Sequence, residues 1–266
     1  SLISEFYSGH ARLKMMARQG MSIELGGVIF LFIGGILAEM GWRFPFLLYL
    51  VSWIFLAMIV RFVPAVPPTN RAQEFHAGQH AETGAIAKVL PVYLAALLSM
   101  TIFFSAIITL PHQLHIMSFS ESETGYILSF VSLVAVAGAS TLPKLIVRAG
   151  EYATLGIGFV CYAVAHIFFA GSHSAAGMIV GGFMLGLGFG LTIPLVNHMA
   201  VERSHPRIRG RNLAYLSMSI FLGQFLSSFF NYIPGGAQQI FYDAALLAVI
   251  GALIFAGRVI MKSLIK

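Results

Sequence analysis

The chain has 266 residues, of which 58% are hydrophobic and 10% charged, and its formal net charge is +6. Because a soluble globular domain has roughly 25% charged residues, this composition excludes a protein dissolved mainly in water. The basic residues are spread over short loops, which argues against a nucleic-acid partner. The single cysteine, Cys161, excludes a disulfide framework and a cysteine-based metal site.

Eight long apolar segments follow one another along the chain, each about long enough to cross a ~30 Å hydrocarbon layer as a helix. Their apolar residues are continuous rather than alternating, which favours helices over the strands of a barrel. Short loops make sequential helices antiparallel, so we predict an all-α membrane helical bundle. The segments cover residues 21–40, 44–63, 88–111, 122–142, 152–171, 175–199, 211–232 and 239–260.

The first segment carries glycines and an acidic residue well inside its apolar run. Gly27 and Gly34 lie seven residues apart, with Gly35 beside them, so small residues line one face of the helix. Such a face permits static close packing in lipid, and it also suits a contact that slides when two halves of a protein rock. Glu24 lies inside the apolar run, which makes it either a candidate proton carrier or an interfacial glutamate.

A polar stretch at residues 64–87 separates the first two segments from the last six and contains no apolar run. We therefore predict three parts: two helices in residues 1–64, a solvated linker in residues 65–87, and a six-helix unit in residues 88–266. At the start of the fourth segment, Ser120 and Glu123 have the spacing of a capping box.

Prolines in the third and sixth segments are followed by polar residues. Irregular backbone at membrane depth is tolerated where it lines a cavity, so Pro111 and Pro194 indicate a pathway. In the seventh segment, Gln224 and Asn231 are seven residues apart and share a face. The lining would suit an amphipathic organic solute, or the same polar groups form interhelical hydrogen bonds. The candidate substrate-binding residues are Phe103, Phe104, His112, Gln113, Asn197, Phe221, Gln224 and Asn231.

When the segments are threaded back and forth, fifteen of the sixteen Lys and Arg residues fall on one side, and only Arg43 falls on the other. We call these sides the basic face and the opposite face. By the positive-inside rule the basic face is cytoplasmic, and both ends of the chain are on it. We predict an integral protein of a bacterial inner membrane, with membrane lipid as its anionic partner.

The order of short motifs resembles that of the major facilitator superfamily. The basic signature between the fourth and fifth segments departs from that pattern, since Pro143 precedes Lys144 and Glu151 follows Gly150. The residues that carry the resemblance are 5–12 and 41–46, then Gly138, Leu142, Lys144, Arg148 and Gly150, then Gly186, Gly188, Gly190 and Pro194, and finally Arg209, Gly210, Arg211, Gly223 and Gln224.

This resemblance implies that the chain covers helices five to twelve of a twelve-helix transporter, and that four amino-terminal helices of the same protein are its partners. It is closest in character to bacterial drug/proton antiporters. The implied function is secondary transport of a small organic solute by alternating access, with protons as the coupling ion and efflux of drugs or metabolites as the direction. No cofactor or metal is expected.

Three other functions fit the sequence less well. Uptake of a small nutrient by a symporter is the main alternative. A membrane-embedded enzyme would need a reactive constellation, and the sequence has no His-Glu-x-x-His motif and no charged sequence neighbour of Cys161. A channel would need a ring of charge or a carbonyl filter, and neither is visible in the sequence.

Overall fold

The structure is a computed structural model that describes residues 9–62, 83–205, 208–232 and 234–264. Within these ranges, the side chains of residues 9–21, 24, 83–88 and 262–264 are not described. All regular elements of the described residues are helices. They are α1 Gly9–Met40, a 3₁₀ helix Phe44–Leu50 that runs into α2 Val51–Phe62, α3 Thr83–Ile116, α4 Glu121–Ala149, α5 Glu151–Gly171, α6 Ala175–Glu202, α7 Arg209–Ser227 with a 3₁₀ helix Ser228–Tyr232, and α8 Gly236–Leu264.

The all-α prediction is confirmed, and each predicted segment corresponds to a helix. Most helices extend beyond the apolar run that predicted them, because a helix continues into the polar membrane interface. One consequence concerns the predicted linker: residues 83–87, its last five, already belong to α3. The remainder of the linker lies outside the described residues.

The last six helices form a unit with its own core. α3 lies at its centre and packs against α7, α8 and α6, while α5 packs on α8 and α6, and α4 packs on α6. The core between α5 and α8 is aromatic: Phe159 and Phe255 are fully buried and stack at 5.4 Å between ring centroids. Phe169 and Phe241 also pack at 5.4 Å nearer the other end, with their rings tilted by 46°.

The first two helices meet this unit mainly through one pair, α1 on α4. No residue of the 3₁₀ helix Phe44–Leu50 or of α2 is buried, and α2 packs chiefly on that 3₁₀ helix. In the first unit as described, Gly35 is the buried residue. Over the described residues, the architecture is thus a six-helix unit and a smaller unit joined mainly by the α1–α4 crossing.

Local signals in the sequence explain where α4 begins and ends. The Ser120 side chain accepts a hydrogen bond from the Glu123 amide (3.2 Å), and the Glu123 carboxylate accepts one from the Ser120 amide (2.8 Å). The predicted capping box is therefore confirmed. At the other end, Gly150 has a φ of +84°, a conformation that glycine adopts without steric cost, and it allows the chain to turn directly into α5.

Candidate functional site

The crossing of α1 and α4 is a contact between backbones. A Cβ atom added to Gly35 would lie 2.8 Å from the Gly125 Cα, and one added to Gly125 would lie 2.7 Å from the Gly35 Cα. Two polar contacts flank this point: Ser129 Oγ donates to the Val28 carbonyl at 3.2 Å, and Ser122 Oγ donates to the Glu39 carboxylate. Phe32 stacks on Tyr126 beside them, with 4.9 Å between ring centroids.

The three glycines predicted to form one stripe on α1 have different neighbours. Only Gly35 meets backbone atoms of α4. A Cβ on Gly27 would lie 3.7 Å from Ser132 Oγ, which is an ordinary contact, and one on Gly34 would lie 3.7 Å from the side chain of Leu48. Gly34 therefore faces the 3₁₀ helix Phe44–Leu50. Glu24 is in α1, but its side chain lies outside the described residues.

The glycines of α6 bring that helix against the backbone of α4. A Cβ on Gly186 would lie 2.4 Å from the Val131 carbonyl oxygen, and one on Gly190 would lie 2.2 Å from the Ala135 carbonyl oxygen. Gly138 completes this contact from the α4 side, since its Cβ would lie 3.6 Å from the Gly190 Cα. α4 therefore packs closely on α1 with one face and on α6 with another.

A half-buried cluster forms near the middle of α3 and contains three of the candidate binding residues. Phe103 packs against Phe189 of α6 at 4.3 Å and against Phe104 at 5.7 Å between ring centroids. The Gln224 amide of α7 donates to Met100 Sδ at 3.9 Å, and no other hydrogen bond from its side chain is formed among the described residues. Sulfur is a weak acceptor, so this amide keeps the capacity to bind a ligand.

The other candidates lie away from this cluster. His112 and Gln113 are near the end of α3, about 12 Å along the helix from Phe104. Asn231 is exposed beyond α7 and donates to the Ser228 carbonyl at 3.4 Å. Asn197 is exposed near the end of α6, where it donates to the Ile193 carbonyl at 2.9 Å.

Because α3 and α6 run in opposite directions, His112 and Asn197 lie toward opposite membrane faces. Phe221 and Pro194 are exposed as well. The structure thus places Gln224 against Met100, one turn of α3 before Phe103 and Phe104, and it does not bring the remaining candidates to this turn.

A polar cluster that the sequence did not indicate joins three helices near the basic face. Tyr93 of α3 donates to the Asn212 carbonyl at 3.2 Å, and the buried Asn212 side chain donates to Ser204 Oγ at 2.8 Å. The Tyr93 and Tyr215 rings meet edge to face at 6.4 Å between centroids. These contacts hold the start of α7 against α3 and the end of α6.

An ion pair lies beside it on the same face. Arg203, at the end of α6, pairs with Glu151 and donates to the Tyr152 hydroxyl at 2.7 Å. Glu151 is one of the two positions at which the basic signature departs from its usual pattern, and the acidic side chain present there forms this ion pair. The basic residues of that signature, Lys144 and Arg148, are exposed. On the opposite face, the guanidinium of Arg43 lies 5.0 Å from the centroid of the Trp42 ring.

The sequence offers two interpretations of His166, a hydrogen-bonded core histidine or a proton relay, and the structure places it in a polar network in the core of the six-helix unit. His166 is fully buried, and its Nδ1 lies 2.8 Å from the Tyr162 carbonyl oxygen. A carbonyl oxygen can only accept, so Nδ1 carries the proton. Ser105 Oγ lies 3.3 Å from Nε2 and links α3 to α5. Each polar atom of the imidazole has a partner, which identifies His166 as a core residue.

A family model described as Major Facilitator Superfamily matches residues 1–228. The chain belongs to the Major Facilitator Superfamily. In the described part of the chain, seven helices are long and apolar enough to cross a membrane, judged by length and composition. The segment Leu25–Met40 of α1 is a shorter apolar helix. The protein is therefore an integral membrane protein with a superfamily-type helical bundle.

One similar curated protein is myo-inositol transporter 1A of Cryptococcus neoformans var. grubii serotype A. It is 34% identical over 113 residues. The matched stretch is 42% of this chain and 20% of that transporter, so it represents about a fifth of the transporter's length. This likeness and the superfamily model both point to transport rather than to enzymatic chemistry.

Proposed function

We propose that the protein is a secondary transporter that moves a small organic solute by alternating access. The observation that carries the proposal is the division into two helical units whose main contact is the α1–α4 crossing. A crossing with glycine backbones at its centre and, among the described side chains, two polar contacts beside it lets one unit tilt relative to the other. Rocking of helical units around a fixed site is how such transporters expose that site to each side in turn.

The cluster around Phe103, Phe104 and Gln224 is the proposed part of the solute site. It combines aromatic surface with one amide that is weakly engaged, which suits an amphipathic molecule of moderate size. His112, Gln113 and Asn231 would contact the solute nearer the opposite face. Phe221 would do so about one turn of α7 nearer the basic face than Gln224, and Asn197 near the basic face itself.

We propose that the protein exports drugs or metabolites and that the export is driven by protons. Glu24 is the proposed coupling residue. A second candidate is uptake of a small polyhydroxylated nutrient, which the name of the similar myo-inositol transporter favours. In both cases we place the basic face in the cytoplasm of a bacterial cell. The exposed surface of α2 is proposed to pack against four further helices of the same protein, and we expect no transport by these 266 residues alone.

The test is to measure solute transport by the whole protein, reconstituted in liposomes with and without a proton gradient. Efflux predicts gradient-dependent movement of an amphipathic cationic dye such as ethidium, and nutrient uptake predicts movement of labelled myo-inositol. Movement of neither, in vesicles that contain folded protein, contradicts both candidates. Glu24→Gln should abolish gradient-driven transport and leave passive exchange intact.

Matched glutamine variants test the site itself. Gln224→Leu should reduce solute affinity, because it removes the amide of the central cluster. Gln238→Leu is the control, since Gln238 donates to the Ala170 carbonyl at 3.2 Å between α8 and α5. Equal loss of transport in the two variants would mean that Gln224 acts only through packing.

A further inference from the structure

A tyrosine near the start of α5 has two arginines beside its ring. The guanidinium carbon of Arg203 lies 4.9 Å from the centroid of the Tyr152 ring, and that of Arg258 of α8 lies 5.8 Å from it. Phe255 stacks on the same ring at 6.4 Å, with an interplanar angle of 15°. The aromatic surface therefore fixes Arg258 at the seam between α5 and α8.

The two arginines differ in how their charge is compensated. Arg203 pairs with Glu151 and also donates to the Tyr152 hydroxyl. Arg258 is half-buried, and within the described part of the chain its contact is the Tyr152 ring, with no carboxylate at ion-pair distance. Apart from Glu151, Arg203 and Arg258 itself, the described Lys, Arg, Asp and Glu side chains of the basic face are Arg61, Lys144, Arg148, Glu202, Arg209 and Arg211, of which Glu202 is the carboxylate and is exposed. The guanidinium of Arg258 thus retains donors for a further anion.

The surroundings of Arg258 decide which anion that is. The position is six residues before the end of α8, or about 9 Å along the helix. Its neighbours on the helix are exposed apolar side chains that face the hydrocarbon, namely Leu253, Ile254, Val259, Ile260 and Met261. A cation in this setting is costly unless it is paired or reaches the interface, and the anions at that depth are lipid phosphates.

We propose that Arg258 and the Tyr152 ring form a binding site for the phosphate of an anionic lipid headgroup at the basic face. A guanidinium can hold two phosphate oxygens at once, which gives the contact a defined geometry. The acyl chains of that lipid run from Arg258 toward the membrane centre, along the exposed apolar side chains of Leu246, Val249, Ile250, Leu253 and Ile254. The bound headgroup bridges α5 and α8, and so it stabilises the six-helix unit.

The chain offers a matched control for this proposal. Arg61 is also on the basic face, and its guanidinium carbon lies 5.6 Å from the centroid of the Phe62 ring. Arg61 is exposed on α2, a helix with no buried residue, and no second aromatic ring is found beside Phe62 among the described residues. A general attraction between basic residues and anionic lipid affects both arginines, whereas the proposed site affects Arg258 alone.

The experiment uses the whole protein purified in detergent and titrated with dioleoyl phosphatidylglycerol. Native mass spectrometry counts the retained lipids, and thermal unfolding measures the stabilisation. Arg258→Gln should weaken the tightest lipid contact by about fivefold, which corresponds to about 1 kcal/mol for one basic residue at a membrane surface. Arg61→Gln should leave it unchanged. Arg258→Lys keeps the charge and provides a folded reference if Arg258→Gln is unstable. Its affinity for the lipid should lie between those of the unmodified protein and Arg258→Gln.

Two further arms separate the sources of phosphate. Dioleoyl phosphatidylcholine, whose headgroup has no net charge, should not reproduce the stabilisation, and inorganic phosphate at millimolar concentration should not displace the lipid. The proposal is overturned if Arg258→Gln and Arg258→Lys both retain lipid as the unmodified protein does, or if Arg61→Gln loses as much. Equal stabilisation by inorganic phosphate would also overturn it, because the ligand would then be a soluble anion.

Discussion

Substituting alanine for the glycines of α1 tests whether the crossing with α4 is a backbone contact. In Gly35→Ala the new Cβ lies 2.8 Å from the Gly125 Cα and 3.0 Å from the Glu121 carbonyl oxygen. Carbon atoms pack at about 3.5–4.0 Å, so the two helices must separate by about 0.7 Å or more. Neither of the obstructing atoms belongs to a side chain that can rotate away. Overpacking of this kind costs about 1–3 kcal/mol.

Gly34→Ala is the matched control, because its Cβ meets only the Leu48 side chain at 3.7 Å. The gain in helix propensity from Gly to Ala, about 1 kcal/mol, is common to the two variants. Their difference in free energy of unfolding therefore isolates the packing cost at the crossing. We expect Gly35→Ala to be less stable than Gly34→Ala by about 1–3 kcal/mol.

The assay is reversible unfolding in mixed micelles of dodecyl maltoside and sodium dodecyl sulfate. Both tryptophans of the chain, Trp42 and Trp53, belong to the smaller unit, so their fluorescence follows that unit while circular dichroism follows all helices. The fluorescence transition of Gly35→Ala should move to a lower fraction of dodecyl sulfate. The backbone contact does not exist if Gly35→Ala and Gly34→Ala unfold at the same fraction of dodecyl sulfate. The same conclusion follows if Gly125→Ala unfolds at the same fraction as the unmodified protein.

The remaining predictions concern the six-helix unit. Gly190→Ala and Gly186→Ala should fail to give folded protein in a size-exclusion assay, because each new Cβ lies within 2.4 Å of a carbonyl oxygen of α4. Gly182→Ala is the control and should fold, since its Cβ lies 3.3 Å from the Val131 side chain. Asn212→Ala should cost about 1–3 kcal/mol of unfolding free energy, because it removes the buried donor to Ser204. Ser120→Ala should cost about 0.5–2 kcal/mol by removing the α4 cap, and a neutral result would contradict the capping geometry.

The sequence predicted the helices because each apolar run is long and uninterrupted, and this signal needs no tertiary information. The ends of the helices were harder to predict from the sequence. α3 begins at Thr83, five residues before the predicted segment, and continues to Ile116. Helices extend into the interface through polar residues such as His112 and Gln113, which hydropathy alone assigns to the loop side.

The candidate site was predicted in part, because sequence indicates which residues are polar or aromatic but not how high each lies in the bundle. His112 and Asn197 both follow a proline, and that shared context grouped them although α3 and α6 run in opposite directions. Tyr93 and Asn212 share a hydrogen bond although they are 119 positions apart in the chain, and neither belongs to a recognisable motif. Such a pair is found only when the helices are placed side by side.

The α1–α4 crossing also has a consequence for how the protein is made. Val28 and Ser129, which share a hydrogen bond there, are 101 positions apart in the chain. At the ~5–20 residues per second of protein synthesis, α1 is complete roughly 5–20 s before its partner on α4 is. During that interval the surface around Gly35 has no helix to receive it and is covered by lipid or by the insertion machinery. The smaller unit therefore acquires its position in the fold only after the fourth helix has entered the membrane.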